Sequence, residues 1–477
     1  MDQQREEIAL IQVVPLSYDV TIDVTCLEKN NASEEILFGQ LLYKFEVKIS
    51  TNTILLNGKE LIIGKVRLLN EERKEVLKEG SNQIKLEFNN ESNVTQFIFD
   101  SEINIGIYIL EIEYSCKFRQ DLMGCYGCNF NNKDGQSKRM CVTQFEAAWA
   151  RAAFPCVDQP NAKAVFTVHI IHPPSLTALS NMPISSVDIG IGEDNKWTKT
   201  NFISSPKMST YLVAWVVGEF EFVSGSCYDG KLPVRVYTLP GQSQFANFAR
   251  DIAVETIEFL SNFTQIPIPL PKMDLIAIPD FQAGAMENWG LITFNETSLL
   301  ADENISTTYQ LQNIGSTISH ELVHQWAGNL VTPFWWDDLW LNEGFATFLG
   351  NYVIDKLHPS WNRSLIYQSW DRNNAFSIDE IEEATHPIEV KVLRAVDADD
   401  IFDFIGEDRF KQGFTNYLMK HEYSNASSTD LWEALAESSE NKELSDLMKS
   451  WTQQAGFPLI KKKKIKNQII HNFNGLN

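Results

Sequence analysis

From about residue 13 to 222, apolar and polar positions alternate in short runs, a period that predicts strands. Val20-Thr21-Ile22-Asp23-Val24, the stretch Tyr43 to Ile49 and the stretch Ile107 to Ile112 carry the pattern, with turn residues such as Asn57-Gly58 between runs. Alternation buries one face of a sheet and wets the other, which suits antiparallel sheets packed as a sandwich or saddle. After about residue 245 the period lengthens. Phe245 to Phe263, Gln310 to Leu330 and Glu343 to Leu357 carry apolar residues at helical spacing. A proline-rich bend, Ile266 to Pro271, and a strand-like run, Asp274 to Ile278, separate the first two. Thr429-Asp430 is expected to cap a further helix running towards Trp451. The expected fold is therefore α+β. Residues 1–222 form an antiparallel β-sandwich or saddle domain, and 223–460 a mainly helical domain with some strand. Residues 461–477 form a basic, polar tail, expected to be a disordered, solvated end.

Composition narrows the functional classes. A formal net charge of −23 argues against nucleic-acid binding, which wants a basic stripe. The same charge reads first as solubility and, more sharply, as a site that would draw cationic substrates such as peptides with a free N-terminal amine. No run approaches the roughly 20 apolar residues of a membrane span, and no apolar segment of signal type occupies the first thirty residues. A cytoplasmic protein is expected. Seven cysteines, an odd number, fit reduced thiols better than a disulfide framework. Cys125 and Cys128 form a CxxC without a second pair at zinc-finger spacing, so incidental thiols in a turn are expected.

The candidate chemistry lies in the helical half. His320-Glu321-Leu322-Val323-His324 is an H-E-x-x-H motif. On a helix, positions i and i+4 share a face, so both imidazoles can reach one metal, with Glu321 beside them as a general base. Asn313 and Ser316 are read as the start of this helix and Gly328-Asn329 as its stop. A catalytic zinc wants three protein donors and one open position. Glu343, which opens the next helical run, supplies the third, giving the His₂Glu set of thermolysin-type zinc peptidases. One Zn²⁺ is expected, lowering the pKa of its water and polarising the scissile carbonyl. Glu321 would take the water proton and deliver it to the leaving amine.

Gly284-Ala285-Met286-Glu287-Asn288 lies upstream of that motif. An exopeptidase needs a carboxylate for the substrate's terminal ammonium, and a neighbouring glycine lets substrate backbone approach. Gly284 to Asn288, His320 to His324 and Asn342-Glu343-Gly344 together resemble the gluzincin aminopeptidases, most closely those of puromycin-sensitive and aminopeptidase N type. Thr143 to Arg151 and Phe154 to Asp158 match the same family. The resemblance implies a thermolysin-like catalytic domain acting on peptides with a free N-terminus. It also implies that Glu146 joins Glu287 around the amine, while Ala285 and neighbouring backbone pair with the peptide. Phe166 and Trp215 are expected in the core.

The likeness has gaps. Asp158-Gln159-Pro160 stands where the family commonly has Asp-Glu-Pro. Family members run from a Phe-Asp pair into an Ile-Ser-Tyr-x-Lys-Gly segment whose tyrosine donates to the oxyanion. Here Phe402-Asp403-Phe404 meets Ile405-Gly406-Glu407 directly, and no tyrosine lies between Tyr367 and Tyr417. About twenty residues are absent by this comparison, equivalent to roughly 30 Å of helix. The family's further C-terminal domains are expected to be missing after Ile460, where the lysine-rich ending resembles a truncation. Losing one oxyanion donor typically lowers turnover by about 10²–10³. The expectation is thus a zinc aminopeptidase with impaired turnover or, in the alternative, an inactive zinc- or peptide-binding relative or a truncated isoform of the same family.

Overall fold

The computed structural model describes residues 8–28, 35–76, 84–131, 135–192, 194–366, 407–453, 459–465 and 468–474, with 369, 373 and 377. The chain divides into two compact units, Met1–Asn247 with Leu270–Leu300, and Phe248–Pro269 with Ala301–Asn477.

In the first unit the alternation forms a seven-stranded sheet, ordered Ile184–Ile191, Trp197–Phe202, Val165–His172, Val13–Asp23, Ile36–Val47, Gly106–Lys117 and Ile62–Asn70. It is antiparallel except where Val13–Asp23 lies parallel to Val165–His172. Tyr18 sits opposite Tyr43 on one side and Phe166 on the other, and its ring stacks on theirs at 4.9 and 5.0 Å. Such cross-strand aromatic pairs pin register. A four-stranded sheet carries Trp215, and Phe154 packs against both Trp215 and Tyr18, joining the sheets in one core. Phe166 and Trp215 are buried there, at 2% and 0% exposure. A five-stranded mixed sheet follows, in the order Glu221–Cys227, Leu232–Thr238, Met273–Ile278, Leu291–Asn295 and Ala285–Met286. Met273–Ile278 is buried at every position, as expected of a strand flanked by parallel neighbours.

The CxxC does not lie in a turn. Cys125 and Cys128 sit on the strand Gly124–Asn131, paired residue by residue with Ser137–Gln144. Three residues of spacing reads as a turn only where the backbone bends, and here ladder hydrogen bonds hold it extended. None of the seven cysteines is in a disulfide.

The second unit is built on helices α1 (Asn247–Thr264), α2 (Thr308–Val323) and α3 (Trp340–Leu357). The start of α2 precedes Asn313. Thr307 accepts from the Gln310 backbone N–H, and the Gln310 side chain accepts from Thr307 N, a reciprocal capping box that outcompetes later starts. The run towards Trp451 is two helices, Ser428–Ser439 and Leu444–Thr452, and its cap is Ser427 with Asp430. Glu440, at φ 56°, turns the chain between them. In the lysine-rich end, Leu459–Ile465 pairs antiparallel with Gln468–Asn474, where a disordered end was expected. Isoleucines recur on both segments and favour extended backbone despite the charge. Tyr367, Phe402 to Gly406 and Gly456 to Pro458 lie outside the described residues.

Candidate functional site

Helices α2 and α3 pack along a seam of small residues. A Cβ on Gly350 of α3 would meet the backbone N of His320 at 2.9 Å, and one on Gly315 of α2 would meet Ile354 at 3.3 Å. Ser316 reaches Asn351 at 3.4 Å, and Ser319 shares a hydrogen bond with Thr256 of α1 at 3.0 Å. Close approach of the two backbones brings the first turn of α3 to the last turn of α2. There His320, His324 and Glu343 each offer one ligand atom, all within 4.8 Å of one another. Glu343 lies 3.3 Å from His320 Nε2 and 3.7 Å from His324 Nε2.

His324 is the C-cap of α2, and the turn beyond it sets its ring. Gly328, at φ +124°, folds the chain back so that the Ala327 carbonyl meets His324 Nδ1 at 3.1 Å. A side chain there would also strike His324 Nδ1 at 3.3 Å, so this position needs glycine twice over. A carbonyl only accepts, so His324 Nδ1 carries the proton and Nε2 presents a lone pair. That lone pair faces His320 Nε2 at 3.0 Å and the Glu343 carboxylate. His320 Nε2, His324 Nε2 and a Glu343 carboxylate oxygen converge, atom types that together can ligate one metal ion. The donor set thus fits zinc. Burial pushes both imidazoles below their ordinary pKa, which favours the neutral, ligating form. Burial would raise Glu343, but His324 and His320 outweigh it and hold the carboxyl at about 2. Glu321 is buried on α2 at 6% exposure, next in sequence to the first imidazole.

In the first unit, Ala285 and Met286 form the edge of the five-stranded sheet, paired with Phe294 and Thr293. Gly284 is exposed and its carbonyl accepts from Asn295 N at 3.0 Å. Glu287 follows at 3% exposure, and Asn288 donates to Thr293 Oγ1 at 3.1 Å. Glu146, just past the strand Ser137–Gln144, brings a carboxylate oxygen within 4.8 Å of one of Glu287. Gln144 ties the two segments by donating to Met286 Sδ at 3.3 Å. Two carboxylates this close, one of them buried, favour a positively charged partner.

Several residues that sequence reading passed over hold these groups. Lys272 is 2% exposed and donates to the carbonyls of Ser180 and Gly290, at 2.7 Å each. Asn181 donates to the Trp289 carbonyl at 3.0 Å, so the turn after Asn288 is clamped from both sides. Gly290, at φ +84°, could carry no side chain, since a Cβ would lie 2.5 Å from the Asn181 carbonyl. On α3, Thr347 Oγ1 lies 3.3 Å from His320 Nδ1. The only sequence signal for Thr347 is its position four residues after Glu343, on the same helix face.

The Peptidase M1 N-terminal domain matches residues 14–212, and the Peptidase family M1 domain matches 248–451. Aminopeptidase M1-C of Oryza sativa is 39% identical over 442 residues, covering 89% of this chain and 48% of that protein. The alanine/arginine aminopeptidase of Saccharomyces cerevisiae is 37% identical, covering 96% of this chain and 53% of its own length. The puromycin-sensitive aminopeptidase of Caenorhabditis elegans is 35% identical, with 89% and 45% covered. The chain spans about half the length of the curated relatives it matches.

Proposed function

Since this chain belongs to peptidase family M1, among the gluzincin aminopeptidases, we propose that it is a zinc aminopeptidase acting on peptides with a free N-terminus. The observation that carries this reading is the convergence of His320, His324 and Glu343, with His324 Nε2 left as a bare donor. These three residues would hold one Zn²⁺, which when bound supplies an acidified water and a polarised carbonyl. Glu321 accepts the proton of the attacking water on its carboxylate and returns it to the nitrogen of the departing peptide. Glu287 and Glu146 take the α-ammonium, so that the peptides held are those with a free N-terminus. The open edge at Ala285–Met286 gives the substrate backbone a strand to pair with, the β-addition mode of peptide capture. Gly284 keeps that approach clear. We place the protein in the cytoplasm on its seven free thiols. Among the described residues, no helix is long and apolar enough to cross a membrane.

The family tyrosine has no counterpart between Tyr367 and Tyr417. Turnover is accordingly proposed to fall by about 10²–10³, the usual effect of losing one oxyanion donor. The same observation supports a second reading, a chain that binds zinc and peptide without cleaving. Zinc analysis and hydrolysis of an aminoacyl fluorogenic amide on one sample of the whole chain separate the two. Slow release that Glu321→Gln abolishes supports the enzyme. One zinc per chain with no release supports the binder, and neither zinc nor release overturns both.

A further inference from the structure

The two imidazoles of the cluster are held in different ways. His324 is boxed in, its side chain 1% exposed, and its Nδ1 faces a backbone carbonyl that a tight turn fixes. His320 has a side chain 24% exposed, so packing constrains its ring less. Its Nδ1 meets a side-chain hydroxyl, Thr347 Oγ1, at 3.3 Å. Thr347 lies one helical turn after Glu343, so one face of α3 presents both a donor atom to the cluster and a partner to the ring opposite. Gly350, on the next turn, lets α3 come close enough for that hydroxyl to arrive.

We propose that Thr347 is a positioning residue for His320, accepting a hydrogen bond from Nδ1–H so that Nε2 is left free and aimed at the metal. The inference rests on the zinc reading above. A ligating imidazole must carry its proton on the nitrogen away from the ion, and an acceptor there selects that tautomer and orients the ring. A hydroxyl suits the task because it accepts without adding charge to a buried cluster. Nothing else in the cluster performs this for His320: Glu343 and His324 both face its Nε2.

The test uses the full chain and measures zinc dissociation constants by competition with a chromophoric chelator. Thr347→Val keeps the branched shape and removes the hydroxyl. It should weaken zinc binding by about 10–100-fold, the usual range for an outer partner of a metal ligand. Thr347→Ala should match it, and Thr347→Ser should return affinity to within a few-fold of the original. The Co²⁺-loaded valine variant should show a shifted visible ligand-field band, while the metal-free thermal midpoint stays within about 2 °C. If Thr347→Val and Thr347→Ala bind zinc as tightly as the original, the positioning role is wrong and the metal site stands. If serine fails to rescue, the effect is structural and the proposal falls. An original chain that takes up no zinc overturns the metal reading and this inference together.

Discussion

Burial lowers the pKa of His320 and His324 more than the nearby Glu343 carboxylate raises it, which favours the neutral rings. Glu343 is drawn the other way, held at about 2 by attraction to the same two rings. Neutral rings beside an ionised carboxylate are the arrangement that both shifts favour. Burial decides for the rings, and the cluster meets a cation as two neutral nitrogens and one anion. Glu343→Gln removes that anion while keeping the shape. It should weaken zinc binding beyond the roughly 10–100-fold expected of an outer-shell change. Chelator competition reads this directly, and a Gln variant that binds as the original does would remove Glu343 from the donor set. At this scale the sequence was most informative. H-E-x-x-H and Asn342-Glu343-Gly344 point to three residues that meet within 4.8 Å. Thr347, Lys272 and Asn181 were not legible. A threonine or asparagine announces no partner, and a lysine before a strand reads as surface until its ammonium is found on two buried carbonyls.

Helices α2 and α3 meet where a glycine, not a large apolar residue, sits at the crossing. Alanine at Gly350 would gain about 1 kcal/mol of helix propensity. It would also force a Cβ to within 2.9 Å of the His320 backbone. Overpacking of this kind typically costs about 1–3 kcal/mol, and backbone cannot swing aside as a side-chain tip can. Gly350→Ala should therefore lower the denaturant midpoint, and a variant more stable than the original would contradict the close approach. The capping box at Ser427 gives the pH test. Burial alone would raise Asp430, but hydrogen bonds from the Ser427 backbone N–H and hydroxyl hold its carboxyl below the ordinary 3.8. A carboxyl lowered on folding adds stability above its unfolded pKa and loses it as pH falls through its folded value. Asp430→Asn should melt below the original at pH 6, with the gap closing towards pH 3. A gap of constant size would remove ionised Asp430 from the cap. Element types were largely legible from periodicity, whereas ends were not. Thr307-x-x-Gln310 marks the start of α2 in plain sight, yet Asn313 and Ser316 carry the same type of capping signal. The break at Glu440 has no glycine or proline to announce it.

The chain's path through its two units was hidden from a local reading. Residues 270–300 return to the first unit after α1 has entered the second, because Met273–Ile278 pairs with Leu232–Thr238. Period tells strand from helix but carries no record of which sheet a strand joins. Net charge, by contrast, is a whole-chain property that sequence gives outright. With 63 acidic against 40 basic residues, the molecule attracts cations at long range. A peptide beginning with arginine carries one more positive charge near its amine than one beginning with alanine, so its capture should depend more on that field. Screening lengths contract from about 30 Å at 0.01 M salt to about 8 Å at 0.15 M. Stopped-flow association of two fluorescent peptides, identical but for Arg or Ala at the first position, follows this without any turnover. Between those salt levels the Arg peptide's association rate should fall on the order of tenfold and the Ala peptide's by a few-fold. Parallel salt dependences would mean that the acidic surplus serves solubility alone. A steeper fall for Arg that survives Glu287→Gln would locate the attraction in the surface at large rather than in the carboxylate pair proposed to take the amine.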